Sequence, residues 1–208
     1  MNANRHPKSN ISEYLQSLFT SDRLGAQVVF QTVLPQTPAL WSESIAQYSA
    51  AVQQALDASG IRRLYQHQDQ AIDKILKGEN VIVATPTASG KTLIYNLTVL
   101  ERFQTDVNSR SLYIFPLKAL AQDQLRAFEQ MAAHFGGDHP TAAIYDGDTS
   151  AYRRKRIREA LTNVILTHPV MLHLSFLAHH RKWVIFFKHL QTVVVDEVHS
   201  YRGVMGSH

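Results

Sequence analysis

The sequence predicts an α/β fold in which a parallel sheet is sandwiched by helices, with an accessory segment at the N-terminus. Three observations support this prediction. From Ile61 onward, short apolar runs alternate with segments of helical spacing, as expected for repeated βα units. One apolar run leads into a turn containing glycine and lysine, and another ends in two carboxylates. Both features are typical of functional ends of strands in parallel sheets.

The first of these runs lies in residues 80–92, NVIVATPTASGKT. Residues 81–84 form an apolar run too short for a buried helix, which predicts a strand covered on both faces. Gly90 precedes a helical pattern, so backbone N–H groups and a helix N-terminus would point at one spot and could bind phosphate oxygens. Lys91 would reach the outer phosphates, and the Thr92 hydroxyl would bind magnesium. The alternative is an ordinary strand-to-helix turn with a solvated lysine.

The second run lies in residues 192–199, TVVVDEVH. Nucleotide hydrolases place such an acidic strand end opposite the phosphate loop. Asp196 would hold Mg²⁺, and Glu197 would orient and deprotonate the attacking water. The alternative is that both carboxylates merely open a loop. If the hydrolase interpretation is right, Lys91 with Thr92 and Asp196 with Glu197 must meet at one edge of the sheet.

Composition adds bounds but little detail. The chain has 208 residues, of which 45% are hydrophobic and 18% charged, as in ordinary globular domains. It has no cysteine, no apolar run of 18 residues and no signal-peptide core near its start, so we expect a cytoplasmic protein, nucleoid-associated if bacterial, with no membrane partner. The net charge of +4 favours an anionic partner such as nucleic acid. The 11 histidines show no spacing typical of a metal site.

Residues 1–60 carry no recognisable chemistry and are interpreted as the accessory segment. Asn10 is expected to cap a first helix, residues 27–33 to form a strand, and residues 42–58 to form a second helix that ends before Gly60.

Residues 61–208 are predicted to form the α/β domain. The helices are expected at 66–77, after Gly90, after Pro116, at 150–160 and at 170–177. The further strands are expected at 111–115, 141–145, 164–167 and 191–195. The helix at 150–160 contains the densest basic run, RRKRIR, which is either a solvated face or a nucleic-acid contact.

The ordered motifs of this second part resemble a known family. They read LYQHQDQAI, ATPTASGKT, PLKALAQDQ, YDGDT, LTHPVMLH and DEVHSYRGVMGSH. This order is similar to the first RecA-like lobe of superfamily 2 DEAD/DEAH-box helicases, and the wording is nearest to the RecQ-related helicases of the mitomycin repair factor type. The resemblance implies a P-loop ATPase lobe of a DNA-stimulated motor that moves 3′ to 5′ in DNA repair, with ATP and Mg²⁺ as cofactors.

The resemblance also assigns residues to the ATP site. Gln68 matches the glutamine that reads the adenine edge, and His199 matches the position that relays nucleotide state to the nucleic-acid side. Lys91, Asp196 and Glu197 match the catalytic residues, with Asp196 and Thr92 on the metal. The residues that would surround the phosphates are Thr85, Thr87, Ala88, Ser89, Gly90, Lys91 and Thr92. Tyr65 could line the base or simply pack in the core.

For nucleic acid, the resemblance implies backbone contacts that position a strand without reading its sequence. The residues that match these contacts are Lys118, Gln122, Asp148, Thr149 and Thr167. Single-stranded or tailed DNA is expected in preference to RNA. His168 and Val170 depart from the wording more usual in this subgroup.

Helicases of this type need a second lobe, whose arginines stabilise charge on the transferred phosphoryl group. The sequence contains no second lobe and no cysteine-rich zinc region. One hypothesis is therefore the N-terminal ATP-binding half of a DNA helicase, with weak or no activity alone. The alternative is a truncated, non-catalytic module that binds nucleotide or interferes with a complete helicase. A small-molecule kinase is a third possibility, but it leaves the Gln68 and PLKALAQDQ matches unexplained.

Overall fold

The computed structural model describes residues 10–35, 38–42, 47–86, 89–135, 138–203 and 206. The chain divides into two compact units, one up to Ala39 and one from Leu40 onward. The domain boundary expected after residue 60 stays a prediction. None of the helices among the described residues is long and apolar enough to span a bilayer.

The first unit contains helix α1, Ile11–Phe19, and a 3-10 turn, Gly25–Gln27. Asn10 caps α1 through its side chain, which accepts a hydrogen bond from the backbone of Ser12, as predicted. The strand predicted at 27–33 is wrong, because residues 28–35 have no regular structure. A β-branched run forms a strand only where a neighbour satisfies its backbone, and among the described residues none pairs with this one.

The second unit is an α/β domain with helices and strands in alternation. The helices are α2 Ala50–Ala58, α3 Gln66–Leu76, α4 Lys91–Thr105, α5 Lys118–Ala132, α6 Ala151–Glu159, α7 Pro169–Met171 and α8 Val184–Lys188. The strands are β1 Arg110–Ile114, β2 Ala142–Ile144, β3 Val164–Thr167 and β4 Leu190–Val195. A π-helical segment, Leu172–Leu177, and two 3-10 turns, His180–Trp183 and Val198–Ser200, complete it.

The four strands form one parallel sheet in the order β2-β3-β1-β4. Strand β1 is buried along its whole length, and its side chains alternate between two cores. Tyr113 joins the core made with α2 to α5, whereas Leu112 and Ile114 join the core made with α6 to α8. The sheet is therefore sandwiched by helices on both faces, as the sequence predicts.

Three further predicted elements differ from the structure. Residues 81–84 are not a strand: they form no ladder with the described residues, and the Ile82 side chain is 91% exposed. Helix α2 begins at Ala50, capped by Ser49, rather than at residue 42; residues 43–46 lie outside the described part of the chain. The helix expected at 170–177 becomes π-helical after Met171. Apolar spacing indicates which side chains avoid water but does not specify their backbone partners.

A carboxylate at the start of α3 holds the segment before α2 in place through hydrogen bonds. The side chain of Asp69 accepts hydrogen bonds from Ser42 Oγ at 2.6 Å, Gln47 Nε2 at 2.6 Å and Tyr48 Oη at 2.9 Å. The Tyr48 side chain is buried, and burial together with Asp69 raises the pKa of its phenol.

We expect Asp69→Ala to lower the free energy of unfolding by about 2–4 kcal/mol, because three donors lose a charged acceptor. Urea unfolding of the chain measures this loss. Asp73→Ala in the same helix is the control, since it removes only an exposed ion pair with Lys77 at 2.7 Å. Equal losses in the two variants would show that Asp69 does not anchor this segment.

Candidate nucleotide-binding site

The predicted phosphate loop lies between the segment that ends at Pro86 and the start of α4. Gly90 adopts a left-handed backbone with φ of 75°, which favours glycine, and Lys91 begins the helix. The Thr85 and Ser89 hydroxyl oxygens lie 2.5 Å apart and connect the two sides of the loop. Thr87 and Ala88 lie outside the described residues. The Lys91 ammonium donates to the carbonyl oxygens of Thr85 at 3.1 Å and Pro86 at 3.2 Å, so it already lies across the loop.

The first turn of α3 supports this loop. Gln68 is 3% exposed, its amide nitrogen donates to the Gly90 carbonyl at 3.0 Å, and its amide oxygen accepts from the Tyr65 backbone at 2.9 Å. His67 Nε2 lies 3.2 Å from the Ser89 carbonyl oxygen. Both ends of the Gln68 amide are thus engaged within the protein. Contact with an adenine edge, which the resemblance implies, would require this amide to exchange partners.

An aromatic stack lies beside Gln68 and includes a residue that the sequence analysis missed. Trp41 stacks on Tyr65 with ring centroids 4.5 Å apart, and Tyr65 stacks on His67 at 5.7 Å. The Arg63 guanidinium lies 5.2 Å from the Trp41 ring centre. Trp41 is 24 positions before Tyr65 and follows no recognised spacing, so only its indole could have suggested a role. The stack offers a flat, partly exposed surface of the kind on which a base can lie.

The acidic pair lies at the end of β4. The Asp196 backbone donates to the Ile114 carbonyl at 3.0 Å, and its carboxylate accepts from the Glu197 backbone at 2.9 Å. Burial raises the pKa of Asp196 above its usual range, while the Lys91 ammonium acts in the opposite direction. The loop and the acidic pair lie at the same edge of the sheet, because the Tyr95 hydroxyl bonds Thr92 and the Tyr95 ring lies 5.0 Å from that of Tyr113, the residue before Ile114. This is the arrangement that the hydrolase interpretation requires.

Thr92 is placed at the same edge. The Tyr95 hydroxyl donates to Thr92 Oγ1 at 3.2 Å, and the negative charge of Asp196 adds to the burial that raises the pKa of Tyr95. The hydroxyl of Thr92 and the carboxylate of Asp196 are hard oxygen donors, which Mg²⁺ prefers. The donor set therefore fits a magnesium ion bound together with phosphate oxygens.

Glu197 has an unusual backbone for a residue that is not glycine. Its φ of 50° and ψ of 45° are left-handed, a conformation that residues other than glycine seldom adopt because it is energetically unfavourable. The turn carries its carboxylate past the strand end, where Oε2 lies 3.4 Å from His199 Nδ1. Backbone strain of this kind concentrates at functional sites.

The five predicted nucleic-acid residues do not share one environment. Lys118 Nζ and Asp148 Oδ2 form an exposed ion pair at 2.7 Å, and Gln122 is exposed one turn later in α5. The Thr149 hydroxyl is bonded to Asp146. Thr167 is 2% exposed and donates to the Tyr145 carbonyl at 2.7 Å, so its side chain lies inside the domain. Among the five, the side chains of Lys118, Gln122 and Asp148 are thus exposed, whereas Thr149 is half-buried and Thr167 is buried.

The parallel sheet with helices on both faces matches the RecA-like lobe of helicases. The chain belongs to the DEAD/DEAH box helicases, because residues 65–208 match that family. It is 47% identical over 157 residues to the "Uncharacterized ATP-dependent helicase YprA" of Bacillus subtilis, which covers 76% of this chain and 21% of that protein. It is 37% identical over 201 residues to the "ATP-dependent helicase HRQ1" of Saccharomyces cerevisiae, covering 96% of this chain and 18% of that protein.

A solved structure agrees with these relatives. The crystal structure of the DUF1998 helicase MrfA bound to DNA and AMPPNP superposes with a TM-score of 0.78 and 44% identity, over 83% of this chain and 24% of that one. The chain thus spans about a fifth to a quarter of the length of these proteins. These comparisons confirm the predicted resemblance to helicases of the mitomycin repair factor type. They also confirm that the chain corresponds to the first lobe and has a RecA-like fold.

We expect Gly90→Ala to destabilise the chain more than Gly78→Ala does. Both glycines have left-handed backbones, which costs an L-residue about 1–2 kcal/mol. A Cβ at Gly90 would lie 2.4 Å from Gln68 Nε2, whereas one at Gly78 meets nothing within 4 Å. Thermal unfolding measures both losses. In a chain that already carries Gln68→Ala, Gly90→Ala should cost no more stability than Gly78→Ala does. If Gly90→Ala still costs more in that chain, the clash with Gln68 is not the cause of the difference.

We expect Asp196→Asn to be more stable than the unaltered chain at pH 7. The folded pKa of Asp196 is raised, so the folded state binds a proton more readily than the unfolded state, and stability is lost as pH rises through the interval between the two pKa values. The amide avoids the burial of charge, so its advantage should vanish below the ordinary aspartate pKa of about 4. The urea midpoints of the two proteins, measured at pH 7 and below pH about 4, check this. An advantage that persists in acid would contradict the electrostatic cause.

Proposed function

We propose that this chain is the N-terminal ATP-binding lobe of an ATP-dependent DNA helicase that acts in DNA repair and moves 3′ to 5′. The observation that carries the proposal is that Lys91 and Thr92, at the start of α4, and Asp196, after β4, lie at one edge of the parallel sheet. That edge also holds a helix N-terminus and a left-handed glycine, as phosphate binding requires. Family membership supports a nucleoside triphosphate as the ligand of this edge, and the MrfA structure holds AMPPNP and DNA together.

The geometry supports a division of roles among the site residues. Lys91 would leave the Thr85 and Pro86 carbonyl oxygens and bind the outer phosphates, whose charge attracts it more strongly. The loop residues Thr85, Ser89 and Gly90 would surround the phosphates, and Thr92 and Asp196 would hold magnesium. A bound magnesium ion would neutralise charge on the phosphates and orient them.

Glu197 would position the attacking water and accept its proton. Its left-handed backbone directs the carboxylate beyond β4, and His199 at 3.4 Å would respond to the charge that develops there. Gln68 would couple recognition of the base to the phosphate loop, because the amide that would contact adenine now donates a hydrogen bond to the Gly90 carbonyl. Binding of adenine would then alter the support of the phosphate loop, and Trp41 with Tyr65 would provide the stacking surface.

Nucleic acid would lie across the start of α5 and the loop before α6. Lys118 would exchange Asp148 for a backbone phosphate, and Gln122 would contact the same strand one turn along. Because such contacts release counterions, affinity should fall as salt rises. The other lobe of the longer helicase would complete the ATP site and supply arginines for hydrolysis.

The nucleotide proposal is tested by thermal unfolding with ATP and Mg²⁺. Lys91→Ala should lose the nucleotide-induced rise in Tm, because the phosphates lose their main cation. Glu197→Gln should keep it, since this residue acts on water. Lys74→Ala, an exposed lysine in α3, is the matched control. A rise that survives Lys91→Ala would exclude the phosphate-loop assignment.

Hydrolysis distinguishes a motor lobe from a non-catalytic nucleotide-binding module. In the chain joined to a second lobe, single-turnover ATP hydrolysis should be stimulated by single-stranded DNA and should fall at least about 100-fold in Glu197→Gln. A joined protein that binds ATP but never hydrolyses it would favour the binding module.

The DNA proposal is tested with Lys118→Ala. We expect weaker binding to single-stranded DNA and a shallower dependence of affinity on salt, measured by fluorescence anisotropy, because one phosphate contact is lost. Lys77→Ala is the control, because Lys77 is also exposed and paired to an aspartate at 2.7 Å. Equal effects of the two changes would indicate non-specific attraction to the basic chain.

A further inference from the structure

A cavity separate from the nucleotide edge lies on the α6–α8 side of the sheet. It has a volume of about 130 Å³ and opens between α6, the 3-10 turn His180–Trp183 and α8. Arg110, the first residue of β1, forms part of its wall. The acidic pair contacts the other end of β1 through Ile114, and four residue steps separate these ends by about 13 Å. The cavity is therefore distinct from the nucleotide edge.

Arg110 is a buried cation without a carboxylate partner. It is 4% exposed, and Nη1 donates only to carbonyl oxygens, Ser109 at 3.0 Å and Val107 at 3.4 Å. Its Nε is buried and has no hydrogen-bond partner among the described residues. Burial lowers the pKa of this guanidinium, and the carboxylate of Asp106 acts in the opposite direction. A buried charge in this condition is costly unless an anion compensates it.

Three more cations line the same cavity. Arg158 is held in place by the Tyr145 hydroxyl, 3.4 Å from Nη1, and lies 5.9 Å from the centre of the Trp183 ring. Arg181 and Lys182 are exposed on the 3-10 turn. Within the described part of the chain, none of the four cations is ion-paired, and Glu159 is engaged by Lys155 at 3.6 Å.

The rest of the wall is apolar. Ile157, Trp183 and Phe186 are each under 10% exposed, and they exclude water from one side of the cavity. Val184 and Ile185 lie at its rim with more than half of each side chain exposed. Charges beside such a wall attract an anion more strongly than they would in water. Guanidinium groups also match the oxygen geometry of phosphate.

We propose that this cavity binds a phosphate monoester, with its phosphoryl oxygens between Arg110, Arg158 and the Arg181–Lys182 turn. The two negative charges of a monoester suit four unpaired cations better than a single carboxylate does. The volume admits one phosphoryl group, so the ligand enters by a phosphorylated end. The apolar rim formed by Val184 and Ile185 would contact the organic part of an ester.

The test uses Trp183 as a reporter of this cavity. The chain has 2 tryptophans, so Trp41→Phe leaves Trp183 alone, and Lys91→Ala is added to remove phosphate binding at the loop. Titration with inorganic phosphate, at constant ionic strength, should change Trp183 fluorescence saturably. Cyclohexyl phosphate forms the second arm: tighter binding than inorganic phosphate identifies an organic ester as the source, and equal binding identifies free phosphate.

Two variants with equal loss of charge make the test specific. Arg181→Gln with Lys182→Gln should weaken binding at least about tenfold, since charged hydrogen bonds are lost. Arg153→Gln with Arg156→Gln, on the exposed face of α6 away from the cavity, should leave it unchanged. No saturable change with either probe, or an equal loss in both variants, would overturn the proposal. Both variants alter exposed side chains, so folding does not confound the result.

Discussion

Burial of β1 on both faces is the constraint on which the rest of the domain depends. Tyr113 packs into one core and Leu112 with Ile114 into the other, so helices must cover both sides of the sheet. The hydrogen bond from the Asp196 backbone to the Ile114 carbonyl then carries the acidic pair to the carboxyl end of this strand. The start of α4 lies at the same edge, so the groups proposed to bind phosphate and magnesium would converge there.

The polar groups of the site form hydrogen bonds and ion pairs with one another. Lys91 lies on loop carbonyl oxygens, the Gln68 amide braces Gly90, and Lys118 is paired with Asp148. In the proposed function each of these contacts would be exchanged for a ligand contact of stronger charge. Binding would therefore act on a network that is already folded rather than on free side chains, and its net strength would be a difference between two sets of hydrogen bonds.

Much of this arrangement was predictable from the sequence because it depends on local patterns. The alternation after Ile61, the glycine before Lys91 and the acids after a β-branched run all specify elements and their ends. The strand expected at 81–84 was not found, because apolar spacing does not reveal whether a neighbouring strand supplies hydrogen bonds. The roles of Trp41, Asp69 and Arg110 could not be predicted either, because each depends on contacts with residues distant in sequence or on burial.

The outer side of β4 has a practical consequence. Among the described residues no strand pairs with that side, and Val193 and Val195 remain about half exposed there. An edge strand beside apolar side chains can pair with strands from other molecules, although the Arg102 guanidinium already engages the Gln191 carbonyl of β4. A charged residue in place of Val193 would make such pairing less favourable and is the simplest way to keep the protein monodisperse.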